Sequence, residues 1–195
     1  DGGTEGRGFE IYWTTGELPT LPPPPATAYC IATGYDCDTI NGPFDETDVI
    51  SNVSLTTVNN PSICSANGYA DYSHLVAVIA PGTQAQLAVN IDGPGGIPGG
   101  VYAWLDTNQD SVFSDEEAII MLGDVGVEYF TGEPFIGIIN APTEALGAMR
   151  LRIRVNGNQA PCGSGDGEVE DYTVFIGDTV VGGGSGYCDG SGPVD

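Results

Sequence analysis

Residues 149–155 read Met149-Arg150-Leu151-Arg152-Ile153-Arg154-Val155. Apolar and cationic side chains alternate without a break. Met149, Leu151, Ile153 and Val155 therefore share one face of a strand, and the three arginines share the other. A period of two over this length is a β signature, and no stretch of the chain sustains a helical period instead. Further strands are expected near 48–57, 75–80, 84–91, 100–105, 117–122, 127–138, 148–155 and 170–176. Turn chemistry separates them: Asn59-Asn60-Pro61, Pro81-Gly82, Asp92-Gly93-Pro94-Gly95-Gly96 and Asn156-Gly157-Asn158. About eight short strands punctuated in this way predict an all-β, jelly-roll-like β-sandwich.

The chain has 195 residues, 41% of them hydrophobic, with 30 Gly and 14 Pro. That is enough for one turn-rich domain with a real core, plus appendages. Phe9-Glu10-Ile11-Tyr12-Trp13 makes residues 1–18 a strand-like arm, too short to fold alone. Pro19-Thr20-Leu21-Pro22-Pro23-Pro24-Pro25 marks 19–28 as a semi-rigid linker with polyproline II character. The main domain is expected over 29–177, and 178–195 is a Gly-rich tail. Tyr187-Cys188 in that tail echoes Tyr29-Cys30.

Charge narrows the function classes. There are 27 acidic residues against four arginines and no lysine, a net charge of −23. Nucleic acids and anionic membranes both require a basic footprint, so neither is an expected partner. No apolar run approaches the ~18 residues of a membrane span. The chain begins at Asp1-Gly2-Gly3, consistent with removal of a leader. The acidity fits a metal-loaded extracellular surface, with plain solubility or salt adaptation as the bland alternative.

Cys30, Cys37, Cys64, Cys162 and Cys188 lie in polar, loop-like settings, and His74 is the lone histidine. Zinc wants clustered Cys and His, so disulfides in an oxidising compartment are the better reading. Among Cys30, Cys37, Cys64 and Cys162 three pairings are open, and Cys188 is the odd one, free or intermolecular.

Asp106, Asn108 and Asp110 stand at positions one, three and five of a loop spaced like a calcium site. Val112 would offer its carbonyl at seven, Ser114 sits at nine and Glu117 at twelve. Ser111 occupies position six, where glycine normally permits the sharp turn, so some strain is expected. The arginine stripe is expected to form a charge ladder. Arg150, Arg152 and Arg154 would face Glu168 and Glu170 on the following strand.

The order of motifs resembles the GEVED domain family of secreted bacterial proteins. It runs from Tyr29-Cys30 through Val49–Leu55, Gly68-Tyr69-Ala70-Asp71-Tyr72, Ala80-Pro81-Gly82 and Ala103–Asp110. It then passes Met149–Arg152 and Pro161-Cys162-Gly163 and closes on Gly167-Glu168-Val169-Glu170-Asp171-Tyr172. The resemblance spans about 29–177. It implies a β-sandwich accessory module of multidomain surface proteins, and it implies the pairings Cys30–Cys162 and Cys37–Cys64. Residues 4–13 are similar to the last strand of a CUB-type domain.

Catalysis is not expected, because a nucleophile needs an adjacent base and the usual bases are scarce. His74 is expected at a strand entry. The leading expectation is a calcium-stabilised structural or adhesive module on the bacterial cell surface. It would self-associate through its arms or contact neighbouring domains. The alternative is a polysaccharide-binding accessory module of a secreted hydrolase or peptidase, with Tyr102 and Trp104 as candidate glycan contacts beside the loop.

Overall fold

A computed structural model describes residues 29–34, 49–92, 100–122, 133–143, 147–155, 160–165 and 167–177. These fall within one compact unit, Leu21–Thr179. The strands in chain order are β1 (Ala32–Thr33), β2 (Val49–Leu55), β3 (Val58–Pro61), β4 (Tyr69–Ile79), β5 (Gln84–Asp92) and β6 (Val101–Leu105). They continue with β7 (Ala118–Ile119), β8 (Met121–Leu122), β9 (Phe135–Asn140), β10 (Gly147–Val155), β11 (Gly163–Ser164) and β12 (Val169–Ile176).

Two five-stranded sheets carry the fold, in the orders β4-β12-β10-β6-β7 and β3-β2-β5-β9-β8. Every neighbour is antiparallel except the β4–β12 pair. Inward-facing residues of both sheets meet in one core, with Ile50, Val53, Leu87 and Val89 from one and Met149, Leu151, Ile153 and Val174 from the other. This is the expected β-sandwich. The parallel pair β1–β11 forms a separate two-residue ribbon.

Most expected strands are present with shifted bounds. The 48–57 run holds β2, and the chain reverses at Thr56 (φ +48°) into β3, a strand the pattern did not show. The 75–80 run is the end of a longer strand, β4, that begins at Tyr69. The 117–122 run is split between the two sheets as β7 and β8. Of the 127–138 run, β9 is described from Phe135, while 127–132 lie outside the described residues. So do the N-terminal arm, the proline-rich linker, the Gly-rich tail and the CUB-like stretch.

His74 is not at a strand entry. It sits exposed within β4, where the register against β12 slips by three residues between Tyr72 and Val76. The Thr173 hydroxyl spans that slip by donating to the Ser73 carbonyl at 2.7 Å.

Strand β10 is buried on both faces, unusual for antiparallel architecture. Its apolar face lines the core. Its arginine face is covered by the segment 29–34 and by the loop after β6, which supply Tyr29 and Phe113. Segment 29–34 thus acts as a strap across the outside of the sheet. Gly34 ends it at a crowded point, where a Cβ would run into the carbonyls of Gly167 and Gly68.

Candidate functional site

The loop that follows β6 starts at Asp106, held in place by its N–H donating to the Arg150 carbonyl at 3.0 Å. Asp106 is fully buried. Its Oδ1 accepts from the Asp110 N–H at 3.2 Å and its Oδ2 from the Ser111 N–H at 3.1 Å. The Asn108 Oδ1 accepts from the same Asp110 N–H at 2.9 Å. The Asp110 Oδ1 accepts from the Val112 N–H at 2.8 Å, and its Oδ2 from the Asn108 side-chain amide at 3.0 Å. Asp106 and Asn108 therefore converge on one point, with Asp110 beside them. The chain achieves this by turning left-handed at Gln109 (φ +60°) and at Ser111 (φ +67°). The strain expected at Ser111 is where the loop spacing put it.

Asp106, Asn108 and Asp110 fit the oxygen donor chemistry that calcium prefers. They amount to two carboxylates and an amide. Among the described residues, no three acidic, Cys or His side chains gather as a metal cluster. Val112 would contribute only its carbonyl, and its side chain is exposed.

Glu117 and Ser114 close the far end of the loop. Glu117 is buried, with Oε1 accepting from the Thr107 N–H at 2.9 Å and the Asn108 N–H at 3.3 Å. Its Oε2 accepts from the Ser114 N–H at 2.9 Å and the Ser114 hydroxyl at 3.0 Å. Both oxygens buckle the two ends of the loop together, so Glu117 fastens the loop from its twelfth position. The acceptor reaching back to Ser114 is the logic of an N-terminal cap on the turn Asp115–Glu117.

Tyr29 ties the loop to the strap. Its hydroxyl donates to the Asp106 Oδ2 at 2.6 Å, and its ring stacks on Phe113 at 5.1 Å. Burial pushes the phenol well above its usual range, and the hydrogen-bonded Asp106 carboxylate adds to this.

Behind the strap lie the three buried arginines. The antiparallel register sets the even-numbered arginines opposite odd-numbered residues: Arg150 opposite Thr173, Arg152 opposite Asp171 and Arg154 opposite Val169. The expected ladder with Glu168 and Glu170 is therefore corrected. Asp171 is the partner, gripped by the Arg152 Nε at 2.7 Å and Nη2 at 2.8 Å. Arg150 lies 3.5 Å from the same carboxylate and 3.4 Å from Asp71. Burial works to lower the Arg152 pKa, but the Asp171 pair wins and raises it. The guanidinium of Arg150 sits 5.3 Å over the Tyr29 ring, and that of Arg152 sits 5.0 Å over Phe113.

Among the described residues, the hydrogen-bond partners of Arg154 are carbonyls. It donates to Ala160 and Thr33 at 2.9 Å, Gly163 at 3.0 Å and Cys162 at 3.4 Å. Burial, and then Arg152, lower its pKa. Arg152 likewise reaches the Cys30 carbonyl at 2.9 Å and the Pro161 carbonyl at 3.0 Å. Two guanidiniums thus hold both sides of the Cys30–Cys162 disulfide, whose Cα atoms are 5.6 Å apart. Cys64 is also disulfide-bonded, and Cys37 and Cys188 lie outside the described residues.

Glu168 and Glu170 point to the other side, into the sandwich. Glu168 accepts from the Ile50 and Ser65 N–H groups, both at 3.0 Å, stitching β12 to the opposite sheet. It does so where β2 carries a register shift against β5. Glu170 accepts from the Tyr172 hydroxyl at 2.7 Å, and Asn60 donates to that hydroxyl at 2.8 Å. Burial raises the Glu170 pKa to about 7, opposed by the Tyr172 and Ser62 hydrogen bonds and aided by nearby Glu168. Burial raises Glu168 as well, against its two N–H donors.

Each acid of the run 167–172 thus has an internal job. Residues 100–175 match the GEVED domain family. The resemblance read from the motifs is supported over that stretch, and no curated protein matches the chain. The GEVED match takes in the loop, the arginine strand and the acidic strand. Segment 29–34, which contributes Tyr29 and Cys30 to the same layer, precedes it.

The proposed glycan platform does not form at Trp104. Its side chain is only 3% exposed, packed with Tyr29 and Phe113. Tyr102 is half-buried and stacks on Trp104 with centroids 6.3 Å apart. Tyr29, Phe113 and Asp171 escaped the sequence reading as site residues. Asp171 stands inside the acidic motif, so parity counting along an antiparallel pair could have found it.

Proposed function

We propose that this chain is a non-enzymatic, calcium-stabilised structural or adhesive module of an extracellular bacterial assembly. Its partners are neighbouring copies or neighbouring domains of a surface protein. One observation carries this reading: the Asp106 and Asn108 side-chain oxygens converge on a single backbone N–H, that of Asp110. A hard cation in that turn would take oxygens from Asp106, Asn108 and Asp110, with the Val112 carbonyl next in line. It would offset like charge in a chain of net charge −23 and pin the loop whose Phe113 covers the arginine layer. The disulfide and the buried acids support a scaffold role, since each buried carboxylate among the described residues is tied to structure.

The test is a melting curve in millimolar calcium and again in chelator. Calcium at 100 times its dissociation constant stabilises by about 2.7 kcal/mol. For a domain of this size that is a rise of several degrees in Tm. An unchanged Tm, with magnesium and calcium indistinguishable from chelator, would remove calcium from the reading.

A further inference from the structure

We propose that the Cys30–Cys162 disulfide is a thiol-exchange site, opened by a thiolate that attacks the Cys162 Sγ while Cys30 leaves as the thiolate. The balance is that of simple exchange. The incoming sulfur forms a bond to Cys162, the Cys30–Cys162 bond breaks, and its electron pair goes to Cys30.

Three observations converge. The first is an asymmetry around the two sulfurs. The Arg152 Nη1 stands 3.5 Å from the Cys30 Sγ and donates toward it. The cations reach Cys162 at its carbonyl instead, from Arg154 at 3.4 Å. A guanidinium on a sulfur stabilises the thiolate form, and the better-stabilised thiolate is the better leaving group. Asp171 offsets much of the Arg152 charge, but among the described residues Arg154 has no carboxylate within ion-pair distance.

The second is access. Cys30 and Cys162 are half-buried, and Gly163 and Ser164 beside Cys162 are exposed. A Cβ built on Gly163 would meet nothing within 4 Å, so among the described residues the space beside Gly163, next in sequence to Cys162, is open.

The third is that the surroundings hold without the covalent bond. Arg152 and Arg154 grip carbonyls on both sides of it, Cys30 and Thr33 on one and Ala160 to Gly163 on the other. The β1–β11 ribbon adds Gly163 N–H to Ile31 carbonyl at 2.8 Å and Gly165 N–H to Thr33 carbonyl at 3.2 Å. Opening the bond therefore leaves strap and sheet together, and exchange is reversible. The attacking thiolate is a small thiol or a thiol of another copy. Cys188, the odd cysteine of the sequence, is the candidate chain thiol.

The experiment treats the intact chain with limiting cysteine near pH 7.5, quenches with acid and maps adducts by mass spectrometry. The expected result is a cysteinyl adduct on Cys162 and a free Cys30, with the disulfide of Cys64 opening at least tenfold more slowly. A parallel sample without added thiol, held at high protein concentration, separates the sources. Dimers linked through Cys162 identify a chain thiol, and adducts only with cysteine identify a small one. In the opened protein, Cys30 alkylation should follow a midpoint below the ordinary thiol value of about 8.5. An adduct on Cys30, equal opening of both disulfides, or no opening until the protein melts would overturn the proposal. Because every readout is on the unmodified chain, no variant has to fold.

Discussion

Glu170 is a carboxyl group buried inside an apolar sandwich, and its ionisation must depend on the fold. Its pKa rises from 4.5 to about 7 on folding, chiefly through burial. A raised carboxyl pKa means that the native state holds a proton which the unfolded chain has released. Its contribution to stability is therefore fully present below pH 4.5 and is lost as pH rises through about 7. Glu168 shifts the same way. The unfolding midpoint in denaturant should fall between pH 5 and pH 8, against the habit of acid-labile proteins. Glu170→Gln keeps an acceptor for Tyr172 and removes the titration. That variant should flatten the profile and gain ~1–3 kcal/mol at pH 8. Arg152 presents the opposite case. Cutting it to alanine leaves the Asp171 charge buried without its bidentate partner, at a cost of about 3–5 kcal/mol. Equilibrium denaturation at pH 7 reads that loss directly. Arg154→Ala instead strands carbonyls and should cost less, because among the described residues it orphans no carboxylate.

Strand β10 shows how far such pairings were legible in the chain. The alternation of Met149 to Val155 fixes the strand and its two faces, because backbone geometry allows nothing else. Which acid meets which arginine is a matter of register, and a one-residue slip exchanges the faces of the partner strand. The spacing of Glu168 and Glu170 matches the arginines, yet register sets Asp171 opposite Arg152 and turns the glutamates inward. The loop was legible at Asp106, Asn108 and Asp110, whose partners lie within a few residues. Glu117 was legible as a member of the loop, but its partners were not, because they are groups that only the closed loop brings near. The strap was not legible, since two-residue strands such as β1 and β11 have no measurable period, and the resemblance implied only its Cys30–Cys162 tether. Its fit is nonetheless tight. Gly34 donates its N–H to the Asn67 carbonyl at 3.1 Å, and any Cβ there collides with backbone, not with a side chain that could swing away. Gly34→Ala should therefore destabilise by ~2–4 kcal/mol. It should also raise Trp104 exposure to acrylamide quenching, because the strap packs against that ring. Loss of stability with Trp104 still shielded would place the damage elsewhere.

For the whole molecule, charge decides whether copies can approach one another. At net −23, two chains repel strongly in low salt. Among the described residues, each sheet ends on one side in a strand of two residues, β7 and β8. Ile120, between those two strands, is 79% exposed. Short, twisted edges with an apolar residue between them are a modest platform for strand addition, and they become usable only if repulsion is reduced. Calcium can do this by general screening or by occupying the loop, and the two differ in dose. At 150 mM sodium chloride the Debye length is about 8 Å, so screening is already largely in place. Adding one millimolar calcium to that buffer barely changes the ionic strength. Light scattering and electron microscopy in that buffer should show oligomers with calcium and monomers with chelator. Asp106→Asn with Asp110→Asn should stay monomeric in both, while sodium chloride alone at high concentration should not replace calcium. Monomers throughout would break the link between the loop and assembly, and oligomers of the double variant would assign any calcium effect to bulk charge.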